Sequence, residues 1–305
     1  MKRLLCLAAG LLIASQAAAL DVVATSPSMG ALVRAVAGDR AALTVLAGPE
    51  RDLHALQVKP SMIRAVRGAD LLVAIGAELE IGWLPAVSAS AATPGILPGQ
   101  PGYFEAAAQV PLLEVGGPAD RGRGDIHPTG NPHVDLDPVR MASIADALAE
   151  RLARLDPAGA SAYRANAAAF RDAVDARMAG WQSRLAGAPG AVLYHRDAIY
   201  LLERFGVPLL GTLEPLPGVP PTGGQIKTLV DKLANTDAGK QTDGQTVKGG
   251  VIIYAPYQSP KAPRKLAADL GWPVIELPLS PPSAADGNGY LAHIDRWVAA
   301  LAAGG

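Results

Sequence analysis

Lys59-Pro-Ser-Met-Ile-Arg-Ala-Val-Arg67, followed after Gly-Ala-Asp by Leu71-Leu-Val-Ala-Ile75, decides the fold class. Pro60 suits the first turn of a helix, where its missing N–H would have no partner anyway. Leu71–Ile75 is apolar without alternation, as in a strand buried on both faces. Such strands belong to parallel sheets covered by helices. Upstream, Val22-Val-Ala24 reads as a strand, Met29–Ala37 as a helix and Leu43-Thr-Val-Leu46 as a second strand. Strand and helix therefore alternate, which is the α/β pattern. Downstream, Pro94 to Gly130 is rich in glycine and proline and reads mostly as loop, with a strand at Leu112–Val115.

Beyond Gly130 the spacing predicts a helix over Pro138–Leu152. Asp156-Pro157 then reads as the N-cap and first-turn proline of a second helix, running to about Leu185. Tyr163, Ala167, Phe170, Val174 and Met178 recur there at three- and four-residue steps. About thirty helical residues span about 45 Å, enough to bridge two lobes. A second alternating series follows: strand Ala191–Tyr194, helix Ala198–Phe205, strand Val251–Tyr254, helix Ala262–Leu270 and strand Val274–Glu276. Tyr290–Leu301 reads as a closing helix, and Asn235–Gly250 as a solvated flexible loop.

Residues 1–19 read as a secretory signal, with Lys2 and Arg3 charged, Leu4–Ile13 apolar and Ala17-Ala-Ala19 as the cleavage site. The apolar stretch is too short to span a bilayer. Cys6, the single cysteine of the 305 residues, lies within it, so the exported chain is expected to have no thiolate ligand and no disulfide. Removal of Lys2 and Arg3 takes the formal charge from −1 to −3, which leaves no basic footprint for nucleic acid. Export without a lipid anchor points to a periplasmic protein of about 285 residues, a length typical of two domains.

Histidine and carboxylate remain as the strong metal ligands. Of the five histidines, three sit in turns or at strand ends: His54 in Asp52-Leu-His54, His133 in Asn131-Pro-His-Val-Asp-Leu-Asp-Pro138, and His195 in Tyr194-His-Arg-Asp197. In open α/β sheets the carboxyl ends of the strands face one crevice, so these rings can converge. Converging neutral imidazoles bind zinc. Asp135 and Asp137 are near enough in sequence to accept from the second ring nitrogen of His133. Each histidine also has a plainer reading, as a solvated loop residue, part of a helix-capping segment, or a hydrogen-bonded core residue. His127 reads as a loop residue and His293 as part of a helix face.

The three histidine segments, together with Lys59–Gly76, Glu78-Leu-Glu80, Trp83-Leu-Pro85, Tyr194–Gly206, Leu213-Glu-Pro215 and Tyr290–Leu301, resemble one family across nearly the whole exported chain. It is the cluster A-I substrate-binding proteins, periplasmic zinc- and manganese-binding components of ABC transporters. The resemblance implies no enzyme but two α/β lobes, each a mostly parallel sheet with covering helices, joined by one long helix. The expected organisation is signal 1–19, N-terminal lobe 20–155, connecting helix 156–187 and C-terminal lobe 188–305. It also implies one metal ion between the lobes, His54 and His133 from the first and His195 from the second. Histidine at that third position goes with zinc and a carboxylate with manganese, in line with imidazole and oxygen preferences. The implied partners are the ion and an ABC permease at the inner membrane, with the protein itself a monomer.

Two features depart from that family. Its fourth ligand, an aspartate after the last strand, has no counterpart in Glu276-Leu-Pro-Leu-Ser280, which leaves water, Glu276 or Asp286. The histidine- and acid-rich loop of many zinc members is replaced by Ala119–Thr129, with His127 alone, so the protein is expected either to do without such a loop or to depend on a periplasmic metallochaperone. Three histidines and a water would also suit a zinc hydrolase or lyase, although no motif supplies a general base. A zinc-buffering or adhesin protein without a transporter is the third reading. Glu214 is expected to orient the C-terminal lobe.

Overall fold

The computed structural model describes residues 19–116, 127–214, 218–236 and 249–305. Most of the signal segment, most of Ala119–Thr129 and most of the expected loop after Asn235 lie outside the described residues. Asn235 itself, with Thr236, ends a helix.

The N-terminal lobe holds β1 (Leu20–Ala24), α1 (Pro27–Ala37), β2 (Ala41–Val45), α2 (Pro60–Arg67), β3 (Leu71–Ala74), α3 (Leu84–Ala91) and β4 (Tyr103–Glu105). Helices α4 (Pro138–Leu155) and α5 (Ala160–Leu185) follow. The C-terminal lobe holds β5 (Ala191–Leu193), α6 (Ile199–Phe205), β6 (Leu209–Thr212), α7 (Gly223–Thr236), β7 (Val251–Tyr254), α8 (Lys261–Leu270), β8 (Val274–Glu276) and α9 (Gly287–Ala302). The sheets are both four-stranded and parallel, ordered β2-β1-β3-β4 and β6-β5-β7-β8, so the lobes repeat one topology.

Period-two alternation along the central strands explains the layering. Val22, Ala24, Leu71 and Val73 face one core, which also takes Ala191, Leu193, Val251 and Ile253 from the second sheet. That core is continuous from lobe to lobe through α1, α4, α5 and α9. The opposite faces are closed separately, Val23, Leu72 and Ala74 against α2 and α3, and Val192, Ile252 and Tyr254 against α8. The doubly buried strand expected at Leu71 is therefore present, with all four residues of β3 buried.

Helix α5 has 26 residues and spans about 39 Å. Its buried stripe runs Tyr163, Ala167, Phe170, Val174, Trp181, Leu185, with Met178 partly buried beside it. Asn166 donates to Val36 O of α1 (3.0 Å), and Trp181 Nε1 donates to Asp295 Oδ1 of α9 (2.6 Å), which fixes the helix to elements of both lobes. Asp156 does not cap it through its side chain. Pro157–Gly159 form a 3-10 turn first, while the Asp156 carboxylate accepts from the Tyr163 hydroxyl and from Arg40.

Leu112–Val115 forms no strand; the fourth strand of the first sheet is Tyr103–Glu105, paired with β3. Three residues between glycines and prolines carry no readable alternation, and it is the pairing with β3 that makes them a strand. Helix α3, strand β6 and helix α7 were likewise not apparent in the sequence pattern. For α7 a signal existed. Thr222 Oγ1 accepts from Gln225 N (3.3 Å) while Gln225 Oε1 accepts from Thr222 N (2.8 Å), a capping box.

His293 lies on α9, as expected, and is almost fully buried. Its Nε2 donates to Leu279 O (3.0 Å) and its Nδ1 accepts from Arg296 (3.0 Å). Burial pushes its pKa down to about 4. The unfolded chain then binds a proton that the folded chain refuses between about pH 6.5 and pH 4, so this stability is lost as pH falls. The expected loss on going from pH 7 to pH 4 is about 3 kcal/mol. Denaturant unfolding of His293→Gln at pH 7 and pH 4 should show an acid loss smaller than that of the wild type by this amount. Equal losses in the two proteins would refute it.

Candidate metal centre

The site gathers residues that leave the carboxyl ends of the strands, the position where open α/β sheets bind ligands. Asp52 and His54 follow β2, His195 and Asp197 follow β5, Glu214 follows β6, and Tyr257 and Gln258 follow β7. The chain leaves β5 for β6 on one side and returns to β7 on the other, so the crevice opens at the end of β5. His195 and Asp197 stand there. A cavity of about 270 Å³ is lined by Asp52, His54, His195, Asp197, Glu214 and Tyr257, among others.

His54, His133 and His195 each offer a ring nitrogen within 4.8 Å of the other two. Their ring centroids are 5.3 Å (His54–His133), 5.6 Å (His54–His195) and 5.7 Å (His133–His195) apart. The three expected residues thus come together. His54 is fixed by Asp52, whose Oδ1 accepts from the His54 backbone N–H and stands 2.9 Å from its Nδ1. Burial would raise the Asp52 carboxyl, but the hydrogen bonds and charge of His54 outweigh it and hold the acid below its ordinary value. On His195, Nδ1 stands 3.9 Å from Glu214 Oε2. Glu214 therefore lines the site itself, beyond the orienting role expected for it.

His133 is held by its own loop and by the second lobe. Asn131 Oδ1 accepts from His133 N (3.0 Å), an Asx turn in which Pro132 sits between them. Tyr200 of α6 donates to Asn131 O (2.6 Å) and Tyr290 of α9 donates to Asp135 O (2.9 Å), so both ends of the loop are tied to the C-terminal lobe. Asp137 caps α4 and pairs with Arg140 and Arg204, and the Asp135 side chain pairs with Ser28. The carboxylate facing His133 is Asp197 instead, with Oδ1 3.4 Å from His133 Nε2. The sequence pointed to Asp135 and Asp137 because they are near in number; the turn at Val134–Leu136 sends their carboxylates elsewhere.

Burial, and then the neighbouring imidazoles, hold the His133 pKa well below the ordinary value, so this ring is neutral. Burial raises the Asp197 carboxyl to about 7 against the opposing pull of His54. His133 Nε2 and Asp197 Oδ1 are both buried without a hydrogen-bond partner. Such groups cost free energy unless something charged or polar meets them. A cation between the rings meets both. The donor set of neutral imidazoles and carboxylate oxygen, without sulfur, suits zinc first and manganese less well.

His127 also reaches this cluster. Its Nε2 is 3.2 Å from His54 Nε2, and its ring is 5.3 Å from that of His54 and 6.5 Å from that of His133. It is a loop residue, as expected, yet placed at the edge of the site. Nothing local in Ile126-His-Pro128 announces this; the contacts of Gly116 N with Pro128 O and of Asn131 N with Leu113 O close the loop that carries it there. Glu276 and Asp286 do not enter. Glu276 accepts from the Tyr254 hydroxyl (2.9 Å), and Asp286 caps α9.

Among known proteins, the chain is 27% identical over 260 residues to the high-affinity zinc uptake system protein ZnuA of Paracoccus denitrificans, covering 71% of this chain and 73% of that one. The fold matches a crystal structure of ZnuA at a TM-score of 0.72, 21% identity, 93% of this chain and 99% of that one. It also matches the substrate-binding protein FpvC of Pseudomonas aeruginosa, solved with Mn2+, at a TM-score of 0.75, 24% identity, and 93% and 97% coverage. A family model described as zinc-uptake complex component A, periplasmic, matches residues 22–304. Its members are substrate-binding proteins of ABC transporters and not enzymes. With a match over nearly its whole length and two lobes that bring three histidines into one crevice, this chain belongs to the family of the periplasmic component A of zinc-uptake complexes.

Proposed function

We propose that the exported protein binds one zinc ion through His54, His133 and His195 and hands it to the ABC permease of its uptake system. The observation that supports this most is the convergence of three ring nitrogens within 4.8 Å beside a buried, unpartnered carboxylate oxygen. Capture and release need no reaction, so orientation of the ligands is the whole of the chemistry. Asp52, 2.9 Å from Nδ1 of His54, fixes the tautomer that leaves Nε2 of that ring for the ion, and Glu214 stands on the Nδ1 side of His195. The proposed organisation keeps residues 1–19 as the cleaved signal, 20–155 and 188–305 as the two lobes and 156–187 as the connector. The protein works as a monomer in the periplasm, loaded directly or by a metallochaperone.

Calorimetric titration of chelator-stripped protein tests the reading. One zinc per chain is expected, with manganese displaced at equal concentration. A stoichiometry of zero, or manganese displacing zinc, would overturn it.

Zinc is expected to stabilise the fold without creating it, because both sheets are closed on their two faces by apolar side chains of their own strands and covering helices. Binding to the native state alone adds about 4 kcal/mol at a thousandfold excess over Kd. Thermal melts followed by circular dichroism should show full helical signal in the stripped protein and a higher midpoint with zinc. A stripped protein without helical signal would contradict this.

A further inference from the structure

We infer that Asp197 is the fourth ligand of the ion, an inference that rests on the three-histidine reading above. Its Oδ1 is buried, has no hydrogen-bond partner, and stands 3.4 Å from His133 Nε2 and 3.9 Å from His195 Nε2. Two ligand atoms bonded at about 2.0–2.1 Å to a tetrahedral ion lie about 3.3 Å apart. The oxygen is therefore at ligand spacing from one imidazole and within a small adjustment of it from the other.

The side from which it approaches separates this role from that of the other acids. Asp52 stands against Nδ1 of His54 and Glu214 against Nδ1 of His195, behind the rings. Asp197 faces Nε2 of two rings, on the side where those nitrogens meet the ion. Its other oxygen, Oδ2, accepts from Gln258 Nε2 at 3.4 Å, and Gln258 Oε1 is anchored by Ala255 N at 2.6 Å. Those contacts turn Oδ1 inward, as expected of a carboxylate ligand with its own supporting partner. Asp197 follows His195 by two residues on the turn after β5, so one segment of the C-terminal lobe supplies both ligands. The side chains of Glu276 and Asp286 are engaged elsewhere.

The consequence is a closed set of three imidazoles and one carboxylate oxygen, with no position for an exchangeable water. Closed four-coordinate sites hold an ion, whereas catalytic zinc keeps an open position. A carboxylate oxygen in the set also admits manganese as a weaker competitor.

Cobalt(II) in place of zinc makes the difference visible. In the wild-type protein, azide should leave the visible cobalt spectrum unchanged, because no open position exists. In Asp197→Ala, azide should shift the spectrum, and zinc affinity measured against a chelator should fall at least about tenfold. Asp197→Asn, close in shape, should lose affinity similarly while circular dichroism stays that of the wild type, which excludes misfolding as the cause. An azide-sensitive wild type, or Asp197 variants with wild-type affinity and no azide response, would overturn the inference. His195→Ala serves as the control. If it binds cobalt as the wild type does, the three-histidine reading fails; if it abolishes binding while the Asp197 variants change nothing, only the fourth ligand fails.

Discussion

His195→Ala is expected to weaken zinc binding by more than about a hundredfold, since even residues that merely support metal ligands cost 10- to 100-fold when removed. His195 is 7% exposed and stands where the crevice opens at the end of β5. It is the one histidine of the triad from the C-terminal lobe, so its loss also removes a link between the lobes through the ion. His54→Ala and His133→Ala should lose comparably. His293→Ala should not change affinity, because its ring bonds Leu279 and Arg296 inside the α9 packing. Chelator competition on the four variants reads this directly, and unchanged affinity in His195→Ala would remove that residue from the site.

The second large effect is with pH. Protons and zinc compete for the same nitrogens, so affinity should fall as pH falls. An ordinary imidazole has a value of about 6.5, and each one that must shed a proton costs tenfold per pH unit below it. Burial already holds His133 well below that range, so its ring is neutral without the ion and contributes little to the competition. The two remaining imidazoles alone should cost about three orders of magnitude between pH 7 and pH 5, and a proton on the raised Asp197 carboxyl adds to that loss. Isothermal titrations in buffers across that range give the slope. Affinity independent of pH would mean that imidazoles are not the ligands.

What the sequence revealed, and what it did not, follows from how local each signal is. Leu71–Ile75 could be read because an unbroken apolar run needs two covered faces, and α2 because Pro60 and the apolar spacing lie within the segment itself. The long α5 could be read because its stripe repeats over 26 residues. Tyr103–Glu105 and Leu209–Thr212 could not, since three or four residues become strands only through the neighbours they pair with. Short range also governs the site. His54, His133 and His195 sat in recognisable turns, whereas His127 and Asp197 reach the cluster through tertiary placement. Asp197 was in view within Tyr194-His-Arg-Asp197, but the choice between a helix start and a ligand depends on which way its carboxylate turns. The buried, unpartnered oxygen facing two Nε2 atoms is a fact of three dimensions.

Diffraction from crystals of the zinc-loaded protein, collected at the zinc absorption edge, addresses the ion directly. A single anomalous peak is expected in the crevice at the end of β5, about 2.0–2.1 Å from Nε2 of His54, His133 and His195. A peak elsewhere, or one in contact with fewer than these three histidines, would contradict the assignment of the site.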